Sequence, residues 1–318
     1  MKYVFATALV DFKIAQVLKN PMPIKSGLFV TNNPAHLAGF MKPGHIVTIG
    51  SMETRPFTNG DTVLYRIDEF SDTSRGPEEV INFLRETQAF LTATWLKQDN
   101  SANCEMAFGF SQEPDGNVHS NSLALQYTDH SGGRKEISVD TASLSEICAF
   151  HATSFQGIKE QDFPAHTAFR NTFTRTDRAA RFLQQARSSE DLGQKIANYC
   201  SFFEALLSTS ASELSHQLAE RVAFLLSGEP SERLRLFRQV KRAYSVRSKI
   251  VHGDVLSPGL ISGLVEIAHV CDEVARALLL KILQDADLRR LFNSGSNGLL
   301  DAHMLNLIFG IETTTDLS

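Results

Sequence analysis

The stretch "PSERLRLFRQVKRAYSVRSKIVHGD" spans residues 230–254 and decides how the second half of the chain is read. Ala243, Val246 and Ile250 repeat at helical spacing and predict a buried strip. Glu229 and Glu232 sit in the first turn, where acids suit the helix dipole. Gly253 directly follows His252 and is a natural residue for the left-handed turn that ends a helix. One long helix over 230–252 is therefore expected, with His252 in its last turn.

Working outward, the neighbouring segments share this grammar. "DRAARFLQQAR" is a short helix. "EDLGQKIANYCSFFEALL" (190–207) carries Leu192, Ile196, Tyr199, Phe203 and Leu206 on one stripe. "SASELSHQLAERVAFLLS" (210–227) opens with Ser210 or Ser212 as its cap. Pro258 opens another long helix over 258–285, and "GLLDAHMLNLIFG" forms a short last one. Short loops between consecutive helices favour an up-down bundle.

Before about residue 170 the pattern changes. "YVFATALV", "GLFVTN", "HIVTIGS", "TVLYRIDEF", "CEMAFGFS" and "SLALQYT" are rich in β-branched and aromatic residues and read as strands. Asn59-Gly60, Pro114-Asp115-Gly116 and Gly132-Gly133 are turn signals between them. Residues 77–97, opened by Pro77 and two glutamates, place Val80, Phe83, Leu84, Phe90, Leu91 and Leu96 at helical spacing. The fold class expected is α+β: a β-rich domain over 1–175 with one main helix on a mainly antiparallel sheet, then an all-α bundle over 176–318.

The 318 residues are 42% hydrophobic and 21% charged, which supports real cores and argues against global disorder. Cys104, Cys148, Cys200 and Cys271 lie far apart with no CxxC pair, so a zinc ribbon is not indicated and buried free thiols in a reducing cytoplasm are. No cofactor or metal site is expected. His119 and His130 have no ligand partners at metal spacing, and "SGGR" (131–134) reads as a hairpin turn rather than a phosphate loop. The opening "MKYVFATALVDF" breaks at Asp11 and Lys13 and reads as a strand; no stretch reaches the ~20 apolar residues of a membrane span.

The chemistry concentrates in the long basic helix. Residues 229–252 hold Arg233, Arg235, Arg238, Lys241, Arg242, Arg247 and Lys249 against two acids, a net charge of +5 in a chain of net charge −5. That contrast suits phosphate binding, with Arg235, Arg238, Lys241, Arg242 and Lys249 as the candidate contacts. A solvated basic face explains the charge equally well. Tyr244, Arg247, Ser248 and His252 mark a polar strip, although Arg247 and His252 stand about 140° apart on an ideal helix. On spacing alone, a surface arginine and a C-capping histidine remain an open reading.

Region 190–280 resembles a HEPN domain, and most closely its Apea-like branch, through "FFEALLS" (202–208), "LAERVAFLL" (218–226), the basic helix and "YSVRSKIVHGD" (244–254). The resemblance covers roughly the last 130 residues; residues 1–170 match no family in this reading. It implies a helical bundle that pairs as a homodimer. It also implies a metal-independent ribonuclease motif, R-x(4–6)-H, carried here by Arg247 and His252. The imidazole would transfer a proton as the ribose 2′-OH attacks the neighbouring phosphodiester, and the arginine would stabilise phosphate charge. Many active members have Asn, Asp or His after the arginine; Ser248 stands there here, which puts activity in question more than fold.

Glu204 and Asp254 are the acidic residues of the matching phrases. Glu204 either orients Arg247 across helices or is an ordinary ion-pair residue. Two functions follow from the resemblance. One is a cytoplasmic endoribonuclease, in phage defence or stress response, whose N-terminal domain answers an unknown trigger. The alternative is a non-catalytic HEPN module that binds RNA or a nucleotide, or dimerises. Neither involves a membrane.

Overall fold

The computed structural model describes residues 2–69, 75–114, 116–122, 126–155 and 173–311. Contacts divide the chain into two units: Met1–Tyr127 with Arg134–Gln161, and Thr128–Gly133 with Asp162–Ser318. Among the described residues, no helix is long and apolar enough to cross a membrane.

The first unit runs β1 (Lys2–Val10), β2 (Phe12–Ile14), β3 (Met22–Lys25), β4 (Leu28–Thr31), α1 (Pro43–Ile49), α2 (Ser51–Asn59), β5 (Val63–Glu69), α3 (Gly76–Lys97), β6 (Asn103–Ser111), β7 (Val118–Ser122), β8 (Ile137–Val139) and α4 (Thr141–Ser154). Six strands form a sheet in the order β3-β4-β5-β1-β6-β7, every neighbouring pair antiparallel; β2 and β8 form a separate parallel pair. The period-two pattern of β1 builds both cores. Tyr3, Phe5 and Leu9 join Val80, Phe83, Leu84 and Phe90 of α3, while Val4 and Ala6 join Phe57, Tyr65, Phe108 and Phe110 on the opposite face.

Two departures from the sequence reading stand out here. "HIVTIGS" is not a strand: residues 43–49 are helix α1, because Pro43 pre-sets the first turn and Gly50 ends it at φ 97°. The β-branched run misled because local β propensity yields to such punctuation. The second departure is α4, capped by Asp140, whose carboxylate accepts the Ser143 N–H. The segment "SLALQYT" falls partly outside the described residues. Its Ser122 ends β7.

The second unit runs α5 (Arg175–Arg187), α6 (Leu192–Leu207), α7 (Leu214–Leu226), α8 (Pro230–His252), α9 (Pro258–Ile261), α10 (Leu264–Gln284), α11 (Ala286–Asn293) and α12 (Asn297–Phe309). α6 is its centre and packs on α5, α7, α8 and α10. It is buried nearly all round, on Ile196, Tyr199, Cys200, Phe202, Phe203 and Leu206, rather than along the single stripe the sequence suggests. Tyr199 donates a 2.8 Å hydrogen bond to buried Asp272 of α10, whose other oxygen accepts from Arg276 Nε at 2.8 Å.

α7 begins later than its serines suggest. Ser210 and Ser212 hydrogen-bond each other, and Glu213, at φ 49°, takes the cap position. The expected helix over 258–285 is split by Ser262–Gly263 into α9 and α10. All four cysteines are free and buried, and burial pushes the thiols of Cys104 and Cys148 up to about 12.

Candidate functional site

α8 spans residues 230–252, as its sequence indicates. Pro230 occupies the first turn and Leu236, Val240, Ala243 and Val246 are buried. Gly253 adopts φ 75°; its N–H donates to Ile250 O, and the Asp254 N–H donates to Lys249 O at 2.8 Å. These two bonds make a Schellman ending, which turns the chain sharply after His252.

The polar strip read from the sequence is divided by the fold. Arg247 leans toward α6, where its Nη2 lies 3.1 Å from the carboxylate oxygens of Glu204 and donates to Oε2. Its guanidinium carbon also lies 5.3 Å from the Tyr244 ring centroid. Burial, reinforced by the Glu204 charge, raises the Tyr244 phenol above its ordinary range. Burial likewise raises the Cys200 thiol, one turn before Glu204, well above its usual value. Arg247 Nε is buried and, among the described residues, has no hydrogen-bond partner, so the guanidinium keeps an unused donor. Glu204 therefore does pair with Arg247 across helices. Tyr244 and Ser248 are half-buried beside it.

His252 is exposed, as are Gly253 and Asp254. Among the described residues, no hydrogen bond or ion pair joins it to Arg247. At about 100° per residue, Arg238, Lys241, Arg242, Lys249 and His252 fall within about 100° of one another, opposite the buried strip. Arg247 lies on the side of Val240 and Ala243. Among the described residues, Arg238, Lys241, Arg242 and Lys249 have no hydrogen-bond or ion-pair partner, whereas Arg235 is committed to Glu232 and Gln239. Arg242 crosses to the start of α10, where its Nη2 fills the space that a Cβ on Gly263 would need.

One participant in this unit is invisible to sequence reasoning. Residues 128–133, a turn between strand segments in the sequence, belong to the helical unit. Thr128 Oγ1 accepts from the fully buried Lys195 at 2.9 Å, and the Thr128 N–H donates to Arg187 O at 2.7 Å. Gly132-Gly133 remains a turn, with Gly132 at φ 79°. His130 is not simply exposed: its ring lies 4.7 Å from that of His269.

Comparison with protein-family models, with curated proteins and with solved structures finds no match to the chain.

Proposed function

We propose that the helical unit acts on RNA as a HEPN-type, metal-independent endoribonuclease. The outer face of α8 holds the phosphate backbone, and His252, at the end of that face, takes the proton of the substrate's own 2′-OH as that oxygen bonds to the adjacent phosphorus; the P–O5′ bond breaks, leaving a 2′,3′-cyclic phosphate and a 5′-oxygen that takes up a proton. The observation that supports this is the row of cations, Arg238, Lys241, Arg242 and Lys249, unpartnered among the described residues and sharing one face with an exposed imidazole. A backbone lying along such a row reaches His252 at its end. Arg247 stands on the other side of the helix, so the reading needs a second copy of the chain to bring a guanidinium to the same phosphate. A homodimer is part of the proposal.

A second reading, RNA binding without cleavage, is favoured by the Arg247–Glu204 pair, which gives the arginine a structural task. Purified full chain, Arg247→Ala and His252→Ala are incubated with mixed RNAs in EDTA and sized by gel filtration. Cleavage by the parent alone, with all three dimeric, is the outcome expected of the nuclease. RNA binding without cleavage in all three supports the second reading. Loss of the dimer in the variants, with neither binding nor cleavage in the parent, removes both.

A further inference from the structure

The first unit has a cavity of about 620 Å³ on the sheet face that carries Val4 and Ala6. That volume is within the ~300–1,000 Å³ of small-molecule sites. Its floor is apolar, built by Phe57 of α2 and Phe108 of β6, and its rim carries two thioethers, Met52 and Met106, 73% and 41% exposed. Among the described residues, the charged groups in its wall are Glu53 and Glu105, and no basic side chain lines it. Among the described residues, neither carboxylate is in a hydrogen bond or ion pair.

A β-bulge makes this wall. β1 and β6 pair Thr7 with Ala107 and Leu9 with Cys104, so Glu105 and Met106 together oppose the single residue Ala8. The Thr7 hydroxyl pins the bulge by donating to Met106 O at 2.7 Å. In a regular strand, successive side chains take opposite faces, and one of the two would point toward the α3 side. The bulge turns both to the cavity.

We infer that this cavity binds a small organic cation with an apolar body. An anion meets two carboxylates with no counter-charge, and a neutral apolar molecule leaves them unused. A cation with an apolar body fills the floor and neutralises the rim, and methionines adapt to irregular shapes. The site lies in a different unit from α8 and does not depend on the ribonuclease reading.

The test uses phenylbutylamine, phenylbutanol and phenylbutyrate, titrated into the full chain and followed by ligand-observed NMR. Saturable binding of the amine is expected, with the alcohol weaker by about five-fold or more and the acid weakest. Because Glu53 and Glu105 are both exposed, the Glu53→Gln/Glu105→Gln double variant keeps the fold and lowers the amine to the level of the alcohol. Equal binding of amine and alcohol, amine binding unchanged in the double variant, or no amine binding at millimolar concentration overturns the inference. So does carboxylate-dependent binding of a lysine–leucine peptide in place of the amine, which would assign the groove to a protein segment. Self-association that the double variant abolishes would assign it to a second copy.

Discussion

Arg247 and Glu204 join α8 to α6 through contacts of 3.1 Å, with side chains only 22% and 20% exposed. At that burial the pair is more than a surface contact, because removing one partner leaves the other charge poorly solvated. Arg247→Ala is expected to destabilise the chain by about 1–3 kcal/mol in urea unfolding. Arg247→Ala and Glu204→Ala should be clearly non-additive in the double variant. An Arg247→Ala chain as stable as its parent would remove the structural task assigned to this arginine.

The outer face of α8 gives the opposite pattern. Among the described residues, Arg238, Lys241 and Lys249 hold no hydrogen bond or ion pair, so Arg238→Ala, Lys241→Ala and Lys249→Ala should leave stability within about 0.5 kcal/mol. Each should weaken RNA binding across sequences and reduce the salt slope by about 0.7 for single strands. Arg235→Ala should change binding less, since Glu232 and Gln239 already occupy its guanidinium. Equal salt slopes for all four variants and the parent would show that RNA does not lie along this face.

These contrasts indicate what the sequence could disclose. The limits of α8 were legible because Pro230 and Gly253 impose local backbone constraints that neighbours cannot override. The central strands were legible for a different reason: β1, β5 and β6 are short runs rich in β-branched and aromatic residues, and most of their residues are buried. α1 was not, since a β-branched run is ambiguous without knowing that Pro43 and Gly50 bracket it. Residues of the candidate site were legible one by one, but not their division. Helical angles separate Arg247 from His252, yet only the position of Glu204 on α6 shows which of them turns inward. Residues 128–133 join the helical unit through bonds of Thr128 to Arg187 O, Ser189 O and Lys195, and the burial of that lysine has no signature in sequence.

Two glycines test the seating of α8. Gly253 has φ 75°, and Gly253→Ala should cost about 1 kcal/mol while loosening the turn that places His252. Gly193 is a packing case: a Cβ there would lie 2.7 Å from Ile250 Cδ1. Gly193→Ala should therefore cost about 1–3 kcal/mol through overpacking of α6 on α8. Ile250→Val removes the clashing methyl, so the double variant should be about as stable as Ile250→Val alone. Failure of that rescue would place the cost of Gly193→Ala elsewhere than at Ile250.

His151 of α4 makes the first unit sensitive to acid. The ring is 2% exposed and stacked on Phe155 at 5.6 Å, and among the described residues neither of its nitrogens has a hydrogen-bond partner. Burial, with Lys25 adding to it and Glu86 opposing, lowers its pKa from 6.5 to about 4. Between those values the unfolded chain holds a proton that the folded chain does not, so stability falls as pH falls through this window. The contribution is complete above pH 6.5, gone near pH 4, and at most about 3 kcal/mol. His151→Phe removes the titrating group, while carboxylates titrate alike in both proteins. Urea unfolding at pH 7.5 and 4.5 should show the variant gaining on its parent at the lower pH. A stability difference that is the same at both values would mean that His151 is not held neutral in the fold.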